Sequence, residues 1–190
     1  MPRAGLDAAA VTEAGAALAD EIGLDQLSMS VVAGRLGVKA PSLYKHVDGL
    51  AGLTHRIAVL GATEVGDAVR DATQGRAGEE ALSAAALALR TYVGEHPGRY
   101  AATTGARPAD AVDPLAPAVE RTLDSLAAAL RGYRLEADDE VHALRLLRSS
   151  LHGFSTLEAA EGFQMTTDID ESFAWMIDFI DRGLRTLREG

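Results

Sequence analysis

Two spacings in this 190-residue chain could carry covalent or metal chemistry. Ser42-x-x-Lys45 has the spacing of a serine nucleophile beside a lysine base, and Asp139-x-x-His142 resembles half of a carboxylate di-metal site in a helical bundle. The first lies in a short surface helix, without the strands and companion motifs of that enzyme class. The second needs another acid-x-x-His pair, and the chain has none. There is no His-Glu-x-x-His, no glycine-rich phosphate loop and no Gly-x-Ser-x-Gly. Cysteine is absent, which excludes disulfides, thiolate metal ligands and cysteine nucleophiles. His55, His96, His142 and His152 read as surface or pocket groups rather than ligands. The expectation is a non-enzyme with no catalytic residue, no metal and no cofactor.

A third pattern suits non-covalent chemistry with a polyanion. The chain carries a net charge of −10, which argues against nucleic acid, but the charge is unevenly spread. Between Gln26 and Val47 there is no acid, while Arg35, Lys39 and Lys45 are cationic, and both lysines of the protein lie there. Two short helices joined by Leu36-Gly37-Val38-Lys39 have the layout of a helix-turn-helix. Gly37 can take the positive φ that a sharp inter-helix turn needs. Val32, Leu36, Val38 and Leu43 form an apolar seam that fixes one helix across the other. The second helix then turns Lys39, Ala40, Ser42, Tyr44, Lys45 and His46 outward. Small residues at its tip permit close approach to base edges, and lysines, hydroxyls and histidine reach phosphates.

The elements that must hold this segment are all helical. Hydrophobic residues make up 47% of the chain, charged residues 24% and aromatics 5%; alanine and leucine dominate, and no stretch alternates as a strand does. Helical periodicity predicts a first helix ending near Gly23. A second, Met29–Leu36, is capped by Ser28 and stopped by Gly37, and a third runs from about Ala40 to His46 with Pro41 in its first turn. A fourth, capped by Asp48, reaches about Ala72. A break at 74–78 precedes helices from Glu79 to about Glu95 and from Pro97, and a proline-rich loop covers 105–117. Helices over 118–131, 137–161 and 169–188 follow. The predicted fold is all-α, with about nine helices: a helix-turn-helix domain over 1–50 and a larger helical domain over 51–190. No stretch approaches the length of a membrane span and the first residues lack a signal-peptide core, so a soluble cytoplasmic protein is expected.

Gly23-Leu24-Asp25-Gln26-Leu27-Ser28-Met29, then Val32-Ala33-Gly34-Arg35-Leu36-Gly37-Val38 and Pro41-Ser42-Leu43-Tyr44-Lys45-His46-Val47, resemble the DNA-binding domain of the Tet repressor family of bacterial transcription regulators. The match spans roughly residues 5–60, and its Leu-Gly-Val turn and Leu-Tyr-x-His-Val segment stand at the family's spacing. The segment from His152-Gly153-Phe154 to Glu158, with Gly162-Phe163 after it, looks like a later helix of one subgroup. The resemblance implies an all-helical homodimeric repressor of double-stranded operator DNA, released when a small-molecule effector binds the C-terminal domain. It implies that Ser28 caps the second helix against a phosphate, that Lys39, Ala40 and Ser42 face bases, and that Tyr44, Lys45 and His46 hold the backbone. Two positions depart from the family pattern. Leu50 stands where many members have a lysine, and Ser30 where some carry a base-reading arginine. These departures, with the acidic body, keep open a helical adaptor or sensor that has lost specific DNA binding.

The last helix has an apolar arc, Ile169, Phe173, Met176, Ile177, Phe179, Ile180, Leu184 and Leu187, covering nearly half its circumference. The helix before it has one face of Leu144, Leu147, Leu151 and Phe154 and another of Ala143, Leu146, Ser150, Gly153, Leu157 and Ala160. Its third face, Asp138, His142, Arg145, Ser149, His152 and Thr156, is polar. Two non-polar faces need two partners, and a second subunit supplies one. The expected dimer interface is Ala143, Leu146, Ser150, Gly153, Leu157, Phe173, Met176, Ile180 and Leu184. The resemblance also implies an effector pocket; its candidate walls are Tyr92, His96, Tyr100, Leu147, Leu151 and Phe154, and the few aromatics and lack of a dominant cationic cluster point to a mostly apolar, weakly charged ligand.

Overall fold

Every regular element of the computed structural model is helical across the residues it describes, 6–189. Helix α1, Ala8–Ile22, starts where the Asp7 carboxylate accepts the Ala10 N–H at 2.8 Å, and stops at Gly23, whose φ is 89°. A 3-10 turn, Leu24–Gln26, leads to α2, Met29–Leu36. Next come a 3-10 helix, Ala40–Lys45, then α3 (Gly49–Thr73), α4 (Glu79–Glu95), α5 (Pro97–Gly105) and α6 (Leu115–Leu130). A 3-10 turn, Arg131–Tyr133, precedes α7 (Ala137–Ala159) and α8 (Ile169–Glu189). Among the described residues, eight α-helices and the 3-10 helix after α2 match the expectation of about nine. None of the described helices is long and apolar enough to cross a membrane.

The chain forms two compact units, one of residues up to Ala62 with Glu95–Ala116, the other of Thr63–Gly94 with Pro117 onward. The first is built on α1. Val11, Ala16 and Ala19 of α1, Val32 and Ala33 of α2, Leu43, and Leu53, Ile57 and Ala58 of α3 are all but fully buried. Gly15 lets α3 approach: a methyl there would lie 3.1 Å from the Leu53 side chain. Helix α5 joins this unit by closer contact still. Arg99 donates its backbone N–H to Asp20 Oδ1 (2.8 Å), its Nε–H to Asp20 Oδ2 (2.9 Å) and an Nη2 hydrogen to Glu13 Oε1 (2.6 Å). His96 Nδ1 stands 3.3 Å from the same Asp20 carboxylate. Arg99 and Asp20 are both nearly enclosed, so each needs the other to offset its lost hydration.

Asp113 organises the loop after α5. Its carboxylate accepts the Ala109 N–H at 2.7 Å and the Leu115 N–H at 2.9 Å, and His55 Nε2 of α3 lies 2.9 Å from Oδ1. The Ala109 and Leu115 N–H groups, with a smaller contribution from His55, pull its carboxyl from the ordinary 3.8 down to about 2. A depressed carboxylate contributes stability that is present above the unfolded value and lost as pH falls toward the folded one. Thermal melts should therefore show native stability dropping between pH 3.8 and about 2 more steeply than that of Asp113→Asn. Equal slopes for the two proteins would remove Asp113 from the acid-labile set.

In the second unit, Val65 and Val69, Leu82, Ala85, Ala86 and Leu89 of α4, Leu126 and Leu130 of α6, Leu147 and Leu151 of α7 and Ile177, Ile180 and Leu184 of α8 make the core. Polar bolts cross it. Arg90 of α4 donates to both carboxylate oxygens of Glu158 at 2.7 and 2.5 Å and pairs with Asp170 at 2.7 Å. Its guanidinium lies 4.6 Å from the centre of the Phe173 ring, a cation–π contact that fixes the start of α8. The Tyr133 hydroxyl donates to Asp181 Oδ1 at 2.6 Å, and the buried ring holds that hydroxyl protonated far above its ordinary range.

Candidate nucleic-acid interface

The turn that aims the predicted segment is built as its sequence dictates. Ser28 Oγ accepts the Val31 N–H at 3.3 Å and lies 3.0 Å from Ser30 Oγ, so two hydroxyls flank the N-terminus of α2. Gly37 takes the left-handed conformation, φ 66°, and its N–H closes the end of α2. Val32, Leu43 and Val47 are all buried, and the segment after the turn packs on α2, which holds the outward residues in register.

The segment itself departs from the expected α-helix. Ala40–Lys45 is a 3-10 helix, closed by Ser42 N–H to Lys39 O and His46 N–H to Leu43 O, both 2.9 Å. Six residues after a proline-started turn are too few for a stable α ladder, and the tighter i→i+3 pattern is common in such short pieces. Its side chains are splayed accordingly. Lys39, Tyr44 and Lys45 are exposed, while Ala40, Ser42 and His46 are half-buried at the foot of the segment. All seven residues singled out for DNA, from Ser28 to His46, lie on the turn and its two flanking elements, and none is fully buried.

Arg35 differs from the two lysines. Both its Nη groups donate to the Glu21 carboxylate at the end of α1, one of them at 2.9 Å. This pairing raises the Arg35 pKa and lowers that of Glu21. The cationic character of the acid-free stretch therefore reduces to Lys39 and Lys45. Glu21 is fourteen residues from Arg35, so no local spacing announces the pair. Two exposed apolar side chains, Val31 and Leu50, stand on the elements either side of the segment.

The six expected pocket residues are divided between the units. Tyr92, Leu147, Leu151 and Phe154 belong to the second; His96 and Tyr100 belong to the first. Tyr92 is buried and donates its hydroxyl to Glu64 Oε2 at 2.8 Å. Phe154 meets Phe163 and Phe173 at ring-centre distances of 4.8 and 5.1 Å. One group was missed: Ser155, on the inward face of α7 one turn after Leu151, is buried with no hydrogen-bond partner on its Oγ.

The expected dimer face needs a correction on α8. Phe173, Ile180 and Leu184 are buried within the second unit, as is Ala143 of α7, so they are not on offer to a second copy. Met176 and Ser150 are half-buried. The outward side chains are Leu146 (49% exposed) and Leu157 (51%) on α7, and Trp175 (63%) and Phe179 (61%) on α8, with Leu187 beyond. Trp175 and Phe179 stack at 5.5 Å. An apolar arc that wide serves two partners, and periodicity alone does not say which residues serve which.

Comparison with known proteins adds independent findings. The model of a family described as "Tetracyclin repressor-like, C-terminal domain" matches residues 82–180. The uncharacterized HTH-type transcriptional regulator YobS of Bacillus subtilis (strain 168) is 33% identical over 187 residues, 96% of this chain and 95% of the relative. The uncharacterized HTH-type transcriptional regulator Rv0681 of Mycobacterium tuberculosis is 33% identical over 168 residues, 88% of this chain and 76% of the relative. A TetR variant from Acinetobacter baumannii AYE, solved in complex with minocycline, shares the fold with a TM-score of 0.73 at 24% identity, over 97% of this chain and 99% of that one.

Proposed function

This chain belongs to the Tet repressor family of helix-turn-helix, DNA-binding transcription regulators, and from that premise we propose that it is a homodimeric repressor, released from its operator by a small molecule. The observation that carries the proposal is the turn at Gly37, with its Ser28-capped helix and the exposed Lys39, Tyr44 and Lys45 in a stretch that holds no acid from Gln26 to Val47. On this reading residues 1–50 recognise DNA in the cytoplasm and 51–190 sense the effector and pair the subunits. Lys39, Ala40 and Ser42 meet base edges; Ser28, Tyr44, Lys45 and His46 hold phosphates. Two copies place two segments about one DNA turn apart, and the operator repeats that two-fold symmetry.

The effector is a mostly apolar molecule held in the second unit. Leu147, Leu151 and Phe154 supply apolar surface, the Tyr92–Glu64 pair supplies polarity, and the Ser155 hydroxyl is a buried group still wanting a partner. Release follows the chain. Helix α5 is joined covalently at one end to α4 and at the other to α6, and it is bonded to α1 through Arg99 and Asp20. A shift of α4 or α6 on ligand binding pulls α5, and α5 pulls the helix that supports the reading segment.

A gel shift with the DNA flanking the protein's own gene tests the proposal: a discrete complex is expected, and no complex at low salt would favour an adaptor that has lost DNA binding. Lys45→Ala should weaken binding to every sequence alike. It should also flatten the dependence of log affinity on log salt by about 0.9 for each phosphate left without its cation. An unchanged slope would show that Lys45 holds no phosphate.

A further inference from the structure

The chain carries sixteen arginines and only two lysines, and both lysines, Lys39 and Lys45, stand on the DNA-reading segment. Everywhere else the positive charges are arginines, several of them fixed in ion pairs such as Arg99–Asp20 and Arg90–Glu158. The chemical difference is sharp. Guanidinium keeps its charge at any physiological pH, whereas a lysine amine can be converted to a neutral amide. Both lysines are exposed, no acid occurs between Gln26 and Val47, and no described ion pair holds either ammonium. Along this stretch an anionic acyl donor meets no carboxylate of the segment itself, unlike on the rest of this acidic protein.

We propose that Lys39 and Lys45 are a modification site for activated acyl groups, and that acylation there is an off-switch for DNA binding that does not use the effector. The donor class is an acyl phosphate or an acyl thioester. The deprotonated ε-amine attacks the acyl carbon, the C–N bond forms, and the C–O bond to phosphate or the C–S bond to the thiol breaks. The leaving group takes one proton of the original ammonium and water takes the other; nothing is oxidised or reduced. Each acylation removes one positive charge and one charge-assisted hydrogen bond from a half-site. Arginine at the same positions is inert to these donors.

The inference rests on the proposed role of both lysines at DNA, and its test separates the two. Intact protein is treated with acetyl phosphate in one arm and acetyl-coenzyme A in another. Adducts are mapped by peptide mass spectrometry, and affinity is measured for a duplex selected from a random pool by the untreated protein. The expected result is adducts on Lys39 and Lys45 in step with an affinity loss of roughly tenfold per modified lysine. Prior binding of the duplex should shield both lysines. The double variant Lys39→Arg, Lys45→Arg, normalised to its own untreated affinity, should lose nothing on treatment. Adducts that spare both lysines, modification that leaves affinity intact, or equal inactivation of the arginine variant would each overturn the switch while leaving the role at DNA in place. Native affinity in Lys39→Gln, Lys45→Gln would remove the role at DNA and the switch with it.

Discussion

Gly153→Arg should give a folded chain that no longer pairs with a second copy and binds its operator roughly a hundredfold or more weakly. The substitution is benign inside the chain. A methyl group on Gly153 meets nothing within 4 Å, and replacing a mid-helix glycine favours the helix. Leu146 and Leu157 lie about two turns and one turn away on α7, and the Trp175–Phe179 stack and Leu187 are exposed on α8, which packs beside it. So much exposed apolar surface on two adjacent helices is unusual for a monomer and fits a self-complementary two-fold interface. Glycine lets the facing helices come close; two arginines there oppose both bulk and charge. Light scattering should report a dimer for the native chain at micromolar concentration and a monomer for the variant, with helix content unchanged. Trp175 is the protein's single tryptophan, so its emission should shift to the red as the dimer comes apart. The affinity loss follows because one reading segment no longer holds the other near its half-site. A native monomer at that concentration, or a dimeric variant, would refute this interface.

Gly98→Ala should cost roughly 3–5 kcal/mol, and lower the melting temperature by roughly 10 °C or more. A methyl on Gly98 would sit 2.1 Å from both the carbonyl carbon and the oxygen of Ala19, and 2.6 Å from the Asp20 nitrogen. These are backbone atoms inside α1 and have no rotamer to change. Helix α5 must lift from α1, which stretches the three bonds from Arg99 to Asp20 and Glu13 and leaves buried charges poorly paired. A control is at hand in Gly94→Ala on α4, where a methyl meets nothing within 4 Å; its melting point should hold or rise. The same seat of α5 on α1 carries the effector signal in the proposed mechanism, so milder loosening should alter release as well as stability. Asp20→Asn, which keeps the shape and removes the charge, should weaken the response to effector more than it weakens DNA binding. If Gly98→Ala melts within a degree of the native protein, α5 is not seated on α1 as described.

What could be read from the sequence depended on how local the determining physics is. The limits of α2 were legible because Ser28 caps one end and Gly37 takes a left-handed turn at the other, each acting within four residues. The start of α5 came from Pro97 in its first turn, and that of α4 from the break at 74–78, where Gly75 and Gly78 take positive φ. The 3-10 form of Ala40–Lys45 was not legible, because these residue types fit either helix and the choice turns on length. Pairings across long separations left no trace. Asp20 and Arg99 are 79 residues apart, and nothing in the spelling of α5 marks Gly98 as the point where two backbones touch. On α8 the period of 3.6 found the apolar arc, but only packing shows that Phe173, Ile180 and Leu184 turn inward while Trp175 and Phe179 turn out.

The central claim is that Ala40–Lys45 and its flanking residues read DNA sequence as a two-fold pair. Selection of duplexes from a random pool by the native protein tests it most directly. The expected result is enrichment of one inverted repeat, its half-sites centred about 10 base pairs, or a multiple, apart, and disappearance of that enrichment when Ser42 and Lys39 are both replaced by alanine. A pool that emerges with no shared sequence after repeated rounds, or one whose preference is untouched by those two substitutions, would contradict it.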